Sequence, residues 1–265
     1  MPPHPAGARV RIAALLFITA LTAGVGACGR HAAAGYTVVH RYPHDTSAFT
    51  EGLLYSGGVL YESIGLYGRS QLRREDLATG RVLASVALAP DRFGEGLALL
   101  GGRLYQLTWK SHSGYVYASA TLARVDSFAF PGEGWGMTTN GTALIMSDGS
   151  DSLRFFDPHT FATVRELHVR SGGLPLKALN ELEYVHGGIY ANVYQSNWIV
   201  RVDPTSGNVT QWLDLSALVP AHDPDPANDV LNGIAFDAAT GDLLVTGKKW
   251  PVLFDIHPDS AENTR

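Results

Sequence analysis

Residues 93–105 read Phe-Gly-Glu-Gly-Leu-Ala-Leu-Leu-Gly-Gly-Arg-Leu-Tyr, which is an apolar strand, a Gly-Gly turn and a second strand. Similar stretches begin at Phe49, Trp135, Asn180 and Asn232. Aligned on the residue before the Gly-Leu step, the matched positions are Glu51, Glu95, Trp135, Asn180 and Asn232, with intervals of 44, 40, 45 and 52 residues. A period of about 40–50 residues built from strand pairs is typical of a β-propeller. We therefore predict an all-β, five-bladed β-propeller whose matched residues face one central channel.

The fifth repeat is one strand short. It ends with the apolar run Pro251 to Ile256, whereas an unmatched strand, Tyr36 to Tyr42, precedes the first repeat. Because ring closure removes exposed strand edges, we predict that this N-terminal strand becomes the outer strand of the last blade. The insert from Ala217 to Asp229 contains three prolines and is predicted to be a surface loop.

Residues 1–27 are predicted to be a signal peptide, and residues 31–265 the β-propeller catalytic domain. Arg9 and Arg11 precede the apolar run Ile12–Leu21, and small residues follow as far as Ala27, as in a secretory signal. Cys28 stands where a lipoprotein signal places its lipidated residue, although Leu is usual where Val25 stands. The alternative is cleavage near Ala27 with Cys28 as an ordinary mature residue. Both alternatives predict a periplasmic or exported protein, and the first adds a membrane anchor.

The charge and the cysteine content restrict the partners. The chain has 20 Lys+Arg and 25 Asp+Glu, and loss of Arg9 and Arg11 with the signal peptide leaves 18 against 25, a net charge of −7. A negative net charge argues against nucleic acid or an anionic membrane surface as a partner. A single cysteine cannot form a disulfide within the chain.

Polar and aromatic residues are predicted to meet at one mouth of the channel. Beside the matched glutamates and asparagines, the ends of the second strands carry Glu62, Tyr67, Trp109, Lys110, Asp148, Tyr194, Gln195, Lys248 and Lys249. Convergent polar groups in an aromatic recess are typical of a small-ligand site. Carboxylates held close together in a partly dry site are candidates for proton transfer. The plainer alternative is that the aromatic residues are core and the carboxylates are solvated lining residues.

Several motifs occur in order along the mature chain. They are Ala48-Phe-Thr-Glu-Gly-Leu53, Leu60-Tyr-Glu-Ser63, Tyr67-Gly68, Phe93-Gly-Glu-Gly-Leu97, Leu107-Thr-Trp109, Gly132-Glu-Gly-Trp-Gly-Met137, Leu179-Asn-Glu-Leu-Glu-Tyr184, Tyr190-Ala-Asn-Val-Tyr194, Leu231-Asn-Gly-Ile-Ala235, Val245-Thr-Gly-Lys248 and Trp250-Pro251. In this order and spacing the chain resembles the plant and bacterial glutaminyl-peptide cyclotransferases, which are five-bladed propellers. The resemblance implies conversion of an N-terminal glutamine to pyroglutamate with release of ammonia.

The resemblance also implies site residues. Glu95 would be the proton carrier, and Asn180 and Lys248 would hold the γ-amide and its developing oxygen charge. Glu51 is the further candidate catalytic residue, at a position where most relatives carry Gln. The candidate substrate-binding residues are Phe49, Phe93, Trp109, Trp135 and Tyr194, the last at a position where relatives usually carry Trp. No metal, no cofactor and a monomer are expected, with peptides or proteins bearing N-terminal glutamine as partners.

Two functions from other classes stay open at this point. One is a non-catalytic propeller whose rim binds a ligand or a protein. The other is a calcium-dependent, lactonase-like propeller, in which Glu51, Asn180 and Asn232 would supply the oxygen ligands that hard cations prefer. The aromatic set argues against the second, because a cation site does not need Trp109 and Trp135.

Overall fold

Five four-stranded antiparallel sheets form the part of the chain that the computed structural model describes, namely residues 33–221, 225 and 228–259. The predicted signal peptide and Cys28 lie outside these residues. Strand β1 (Tyr36–Pro43) comes first in sequence. Blade I then contains β2 (Thr50–Ser56), β3 (Val59–Ile64), β4 (Gln71–Asp76) and β5 (Arg81–Ala87). Blade II contains β6 (Gly94–Leu100), β7 (Arg103–Thr108), β8 (Ser113–Ala118) and β9 (Arg124–Ala129).

The remaining blades repeat this order. Blade III contains β10 (Met137–Thr139), β11 (Leu144–Ser147), β12 (Ser152–Phe156) and β13 (Thr163–His168), and the short hairpin of β14 (Arg170–Ser171) and β15 (Leu174–Pro175) follows it. Blade IV contains β16 (Leu179–Val185), β17 (Gly188–Val193), β18 (Trp198–Val202) and β19 (Val209–Asp214), followed by a 3-10 helix (Ser216–Leu218). Blade V contains β20 (Leu231–Asp237), β21 (Asp242–Gly247) and β22 (Val252–Pro258). No helix within the described ranges is long and apolar enough to cross a membrane.

The N-terminal strand closes the ring. Strand β1 pairs antiparallel with β22, from Tyr36 opposite Pro258 to Pro43 opposite Val252, so the sheet order of blade V is β1-β22-β21-β20. The predicted five-bladed β-propeller, with its last blade completed by the N-terminal strand, is therefore confirmed. With β1 included, blade V is a four-stranded sheet like the other blades. Strand β1 also covers the edge that β22 would otherwise expose.

The hydrophobic core is divided among the blade boundaries. Five buried clusters are present among the described residues, and each lies between two neighbouring blades. Between blades I and II, for example, Leu54 and Leu72 pack against Leu97 and Leu104. Both faces of each sheet are thus covered by a neighbouring sheet, which explains the continuous apolar runs in the inner strands.

The inner strands approach one another closely near the matched positions. A Cβ atom on Gly96 would lie 2.3 Å from the Met137 nitrogen, and one on Gly136 would lie 2.0 Å from the Asn180 oxygen. No side chain fits at these distances, so the glycine that follows the matched residue is required by backbone contact. In blades I, II, IV and V the strand register also shifts at the matched residue. Such β-bulges re-aim side chains, here toward the channel mouth.

A buried charged cluster lies where blade V meets blade I. His44 follows β1, and its Nδ1 lies 2.7 Å from the Trp250 carbonyl oxygen of blade V, while its Nε2 lies 3.1 Å from Glu62 Oε1 of blade I. Thr50 donates its hydroxyl to the same Glu62 oxygen at 2.6 Å. Burial alone would lower the pKa of His44, but the carboxylate of Glu62 and their hydrogen bond raise that pKa to about 9. A protonated imidazole donates from both nitrogens, so it joins the two blades.

Deletion of residues 31–42 should destabilise the protein strongly. The deletion removes the strand that completes blade V and exposes the edge of β22. We expect the unfolding temperature to fall by about 10 °C or more, since a loss of several kcal/mol shifts the melting of a domain of this size by that amount. Differential scanning calorimetry of the mature and truncated chains measures the difference. Equal unfolding temperatures would contradict the closure by β1.

The charged cluster predicts that stability falls with rising pH. The folded-state pKa of His44, about 9, exceeds the unfolded value of 6.5, so its contribution is complete below pH 6.5 and is lost as the pH rises through 9. Neighbouring Glu75, whose pKa burial and the Glu62 charge raise to about 8, adds a change of the same sign. Urea denaturation of wild type and His44→Gln at pH 6, 7.5 and 9 should show a decrease in wild type that is smaller in the variant. The His44 contribution amounts to at most roughly 3 kcal/mol, and parallel pH dependences would contradict its assignment.

Candidate functional site

A recess with a volume of about 280 Å³ opens at the channel mouth. It is lined by Phe49, Glu51, Phe93, Glu95, Trp109, Trp135, Asn180, Tyr194, Asn228 and Lys248. The structure therefore brings together the nine candidate catalytic and substrate-binding residues. Their position is a structural fact, and their catalytic and binding roles stay predictions. Five other residues expected at the mouth do not line it, namely Tyr67, Lys110, Asp148, Gln195 and Lys249.

The repeat explains why these side chains meet. Glu51, Glu95 and Asn180 lie in the register shifts at the start of inner strands. Trp109, Tyr194 and Lys248 each follow directly on the last residue of a blade's second strand. Because the start of an antiparallel inner strand lies beside the end of its partner, both groups reach the same end of the channel. Phe49 and Phe93 precede their glutamates by two residues and line the same side of the recess.

A buried ion pair occupies one wall. Lys248 Nζ lies 2.7 Å from Glu51 Oε1, and the side chains are only 6% and 3% exposed. The second carboxylate oxygen accepts a hydrogen bond from Asn232 Nδ2 at 3.1 Å, and the same amide donates to the Thr50 carbonyl oxygen. Burial raises the pKa of Glu51, and the ammonium of Lys248 opposes this rise. Both oxygens of Glu51 are therefore engaged, and the lysine has a fixed position at the recess.

Glu95 lies in the same recess without such a partner. The residue is 5% exposed, and its carboxyl group makes no hydrogen bond with any residue that the structure describes. Burial raises the pKa of Glu95 well above its usual range, the charge of Glu51 raises it further, and Lys248 opposes the rise. A carboxyl group with a raised pKa and no internal hydrogen-bond partner is a stronger base than an ordinary carboxylate, and it can both accept and return a proton.

Aromatic rings form the rest of the enclosure. Phe93 stands edge-on to Phe49, with 6.2 Å between ring centroids, and lies 5.5 Å from Trp109. On the other side Trp135 and Tyr194 make an edge-to-face pair at 5.5 Å. Lys248 Nζ lies 4.5 Å from the centre of the Phe49 ring and thus joins the aromatic wall to the ion pair. A short apolar side chain segment can be held between these rings, with water largely excluded.

Asn180 presents an amide group to the recess. Its backbone oxygen accepts a hydrogen bond from the Ser147 hydroxyl at 2.7 Å, and that hydroxyl in turn accepts one from the Gly136 nitrogen. This arrangement holds the start of β16 against blade III. The buried side-chain Oδ1 has no hydrogen-bond partner among the described residues. A buried amide oxygen without a partner is costly, and a ligand with an N–H group would satisfy it.

The channel below the recess is filled by the next residue, Glu181. Its carboxyl oxygens accept hydrogen bonds from the Ile234 nitrogen of blade V at 2.8 Å and from the Leu53 nitrogen of blade I at 3.3 Å. The residue is fully buried, and burial raises its pKa well above the usual range, with the charge of Glu183 adding to the rise. Glu181 thus spans the channel and joins three inner strands.

The oxygen ligands of the lactonase-like alternative are not arranged for a cation. Glu51 Oε1 is bound to an ammonium group and Oε2 to an amide N–H, so neither oxygen is turned toward a metal position. Within the described ranges, no group of three or more His, Cys, Asp or Glu side chains could hold a metal ion. A lysine ammonium beside the carboxylate also opposes binding of a second positive charge.

Three further sequence predictions need correction. Glu62 was expected at the mouth but lies inside β3 and points to His44 at the seam between blades. Asn232 was expected to line the channel mouth but lies behind Glu51, fully buried. The segment 217–229 was expected to be an ordinary surface loop, yet Asn228 lines the recess and Asp229 is buried, with Lys249 Nζ 2.7 Å from its Oδ1. The signal for Asn228 was its place just before an inner strand, where each connecting segment reaches the mouth.

Comparison with known proteins agrees with this geometry. A family model described as glutamine cyclotransferase matches residues 11–257. The glutaminyl-peptide cyclotransferase of Arabidopsis thaliana is 44% identical over 223 residues, which cover 83% of this chain and 70% of that relative. The crystal structure of Myxococcus xanthus glutaminyl cyclase is similar with a TM-score of 0.78 and 36% identity, over 84% of this chain and 96% of the other. From the repeat, the recess and these comparisons together, the chain belongs to the glutamine cyclotransferase family.

Proposed function

We propose that this protein is an enzyme that converts the N-terminal glutamine of peptides or proteins to pyroglutamate and releases ammonia. The observation that carries the proposal is the buried carboxyl group of Glu95, which has no internal partner and lies beside an ion pair in an aromatic recess. The reaction joins two groups of one residue, so the site has to fold the side chain back and move protons. The recess offers groups for both tasks.

Glu95 is the proton carrier in this proposal. An α-amine with a pKa near 8 is mostly protonated at neutral pH and must lose a proton before it can attack. The Glu95 carboxylate takes that proton, the nitrogen lone pair forms a bond to the γ-amide carbon, and the carbonyl electron pair moves onto oxygen. Glu95 then returns its proton to the amide nitrogen. The C–N bond breaks, the carbonyl group forms again, and the surplus proton of the ring nitrogen passes to the departing ammonia.

Asn180 and Lys248 act on the amide group. The Asn180 amide can donate to the carbonyl oxygen and accept from the γ-amide N–H, which satisfies its buried Oδ1. The ammonium of Lys248 lies at the same recess and stabilises the negative oxygen of the tetrahedral intermediate. Glu51 holds Lys248 in place and reduces its net charge, so the pair stays buried without an isolated charge.

The aromatic residues orient the substrate. Phe49, Phe93 and Trp109 form one continuous wall, and Trp135 with Tyr194 forms a second. Rings on both sides of the methylene groups favour the folded side chain that brings amine and amide together. They also limit water, which would otherwise compete for the polar groups.

A single assay tests the function against its two rivals. Purified protein is incubated with a Gln-initiated peptide, with and without a chelator. Two quantities are measured: the ammonia released, and the mass of the peptide, which falls by about 17 units when ammonia leaves. We expect equal turnover in both samples, and none with the same peptide after N-acetylation. Absence of ammonia in every sample would favour the non-catalytic propeller, whereas turnover that the chelator abolishes would favour the calcium-dependent enzyme.

The two glutamates should differ in their effect on rate. Glu95→Gln removes the proton carrier and should lower kcat by about 10²–10⁴-fold, the usual effect of losing general acid–base catalysis. Glu51→Gln keeps the shape, should leave a working enzyme, and removes a negative charge that raises the pKa of Glu95. The acid limb of its pH profile should therefore move to lower pH. Full pH–rate profiles of both folded variants test this, and the reverse ranking would assign the catalytic carboxylate to the other blade.

We also propose where the enzyme works. The N-terminal signal pattern supports export to the periplasm or beyond, with Cys28 as a candidate site for a lipid anchor.

The oligomeric state and the partners are also part of the proposal. A closed ring leaves no unpaired inner edge for assembly, which supports a monomer. The net negative charge of the mature chain supports peptide termini, rather than nucleic acid, as partners.

A further inference from the structure

One carboxylate oxygen binds both tryptophans of the recess. Glu133 Oε2 accepts a hydrogen bond from Trp109 Nε1 at 2.7 Å and another from Trp135 Nε1 at 3.1 Å. Glu133 itself does not line the recess and lies behind the two indole rings. The mechanism above does not use this residue.

The contact joins two blades. Trp109 follows β7 of blade II, whereas Trp135 precedes β10 of blade III. The two rings belong to different aromatic pairs of the recess, with Phe93 beside Trp109 and Tyr194 beside Trp135. Hydrogen bonds from indole N–H to a carboxylate are charge-assisted and directional, so a shared acceptor fixes the rotation of both rings at once. The spacing between the walls therefore depends on Glu133.

The position of Glu133 is supported from its other side. Its Oε1 lies 3.8 Å from Lys110 Nζ, and that ammonium lies 3.9 Å from the centre of the Trp109 ring. Its backbone oxygen accepts a hydrogen bond from Arg154 Nη2 at 3.4 Å. Two cations on neighbouring elements thus hold the segment that carries the carboxylate, although the side chain is partly exposed to solvent.

We propose that Glu133 is a positioning residue for the cyclisation: it sets the spacing and orientation of the Trp109 and Trp135 rings around the glutamine side chain. This inference rests on the proposed function. Glu133 acts through the indole rings, because it does not itself line the recess. Its negative charge is also, after burial and the charge of Glu51, a further cause of the raised pKa of Glu95, so substitutions have to separate the reach of the side chain from its charge.

Two substitutions separate the two effects. Glu133→Asp keeps the charge but shortens the side chain by one methylene, so one oxygen no longer reaches both indoles. We expect kcat/KM to fall by roughly tenfold, the effect of one lost hydrogen bond, with an unchanged acid limb. Glu133→Gln keeps the reach and an acceptor oxygen but removes the charge. We expect kcat/KM at its plateau to change by no more than about threefold, with the acid limb moved to lower pH.

The readouts are the pH profiles of kcat and KM with a Gln-initiated peptide and the intrinsic tryptophan emission of the free proteins. Asp126→Asn serves as the charge control, since Asp126 is exposed on the outer strand β9 of blade II. Emission should change in Glu133→Asp and stay close to wild type in Glu133→Gln. Emission does not depend on turnover, so it tests the contact even if wild type releases no ammonia, an outcome that would instead refute the proposed function.

Two results would overturn the inference. The first is wild-type kcat/KM and emission in Glu133→Asp. The second is a loss in Glu133→Gln as large as that in Glu133→Asp. The thermal unfolding of each variant is measured alongside the assays. If Glu133→Asp does not fold, the kcat/KM and the emission of Glu133→Gln decide whether Glu133 positions the two rings.

Discussion

The site depends on the close approach of the inner strands around the channel. Where Gly96 meets Met137 and Gly136 meets Asn180, backbone lies against backbone with no room for a Cβ atom. In blades II and III this contact brings the residue just before the glycine, Glu95 or Trp135, to the channel mouth. Register shifts at Glu51, Glu95 and Asn180 turn these side chains toward the recess, so the packing of the inner strands collects functional groups from blades I to IV.

The two matched glutamates, Glu51 and Glu95, have different electrostatic surroundings. Glu51 is held by Lys248 and Asn232, whereas Glu95 is buried without a hydrogen-bond partner among the described residues, and the charge of Glu51 acts against its ionisation more than Lys248 favours it. Identical side chains at equivalent repeat positions thus acquire different proton affinities from their surroundings. The aromatic rings strengthen the difference, because exclusion of water raises the cost of an unpaired charge.

The repeat was sufficient to predict the number of blades, the closing strand and seven of the residues that line the recess, whereas Phe49 and Phe93 were predicted only from the family resemblance. Its errors have physical causes. Glu62 lies in the interior of β3, where the alternation of side chains turns it to the blade seam and to His44, a partner 18 residues away in sequence. Asn232 occupies a matched position but donates to Glu51 and to the Thr50 backbone. Asn228 lies outside the repeating unit, so no alignment of repeats could place it.

Glu181 gives the recess a floor. Its carboxyl group accepts hydrogen bonds from inner strands of blades I and V, so it lies between these strands below the recess. A recess bounded on that side is approached from the mouth, where a chain end brings one flanking backbone and an interior glutamine brings two. The small product and the modified chain depart through that same mouth. The shape of the opening thus favours a terminus, in addition to the free α-amine that the reaction requires.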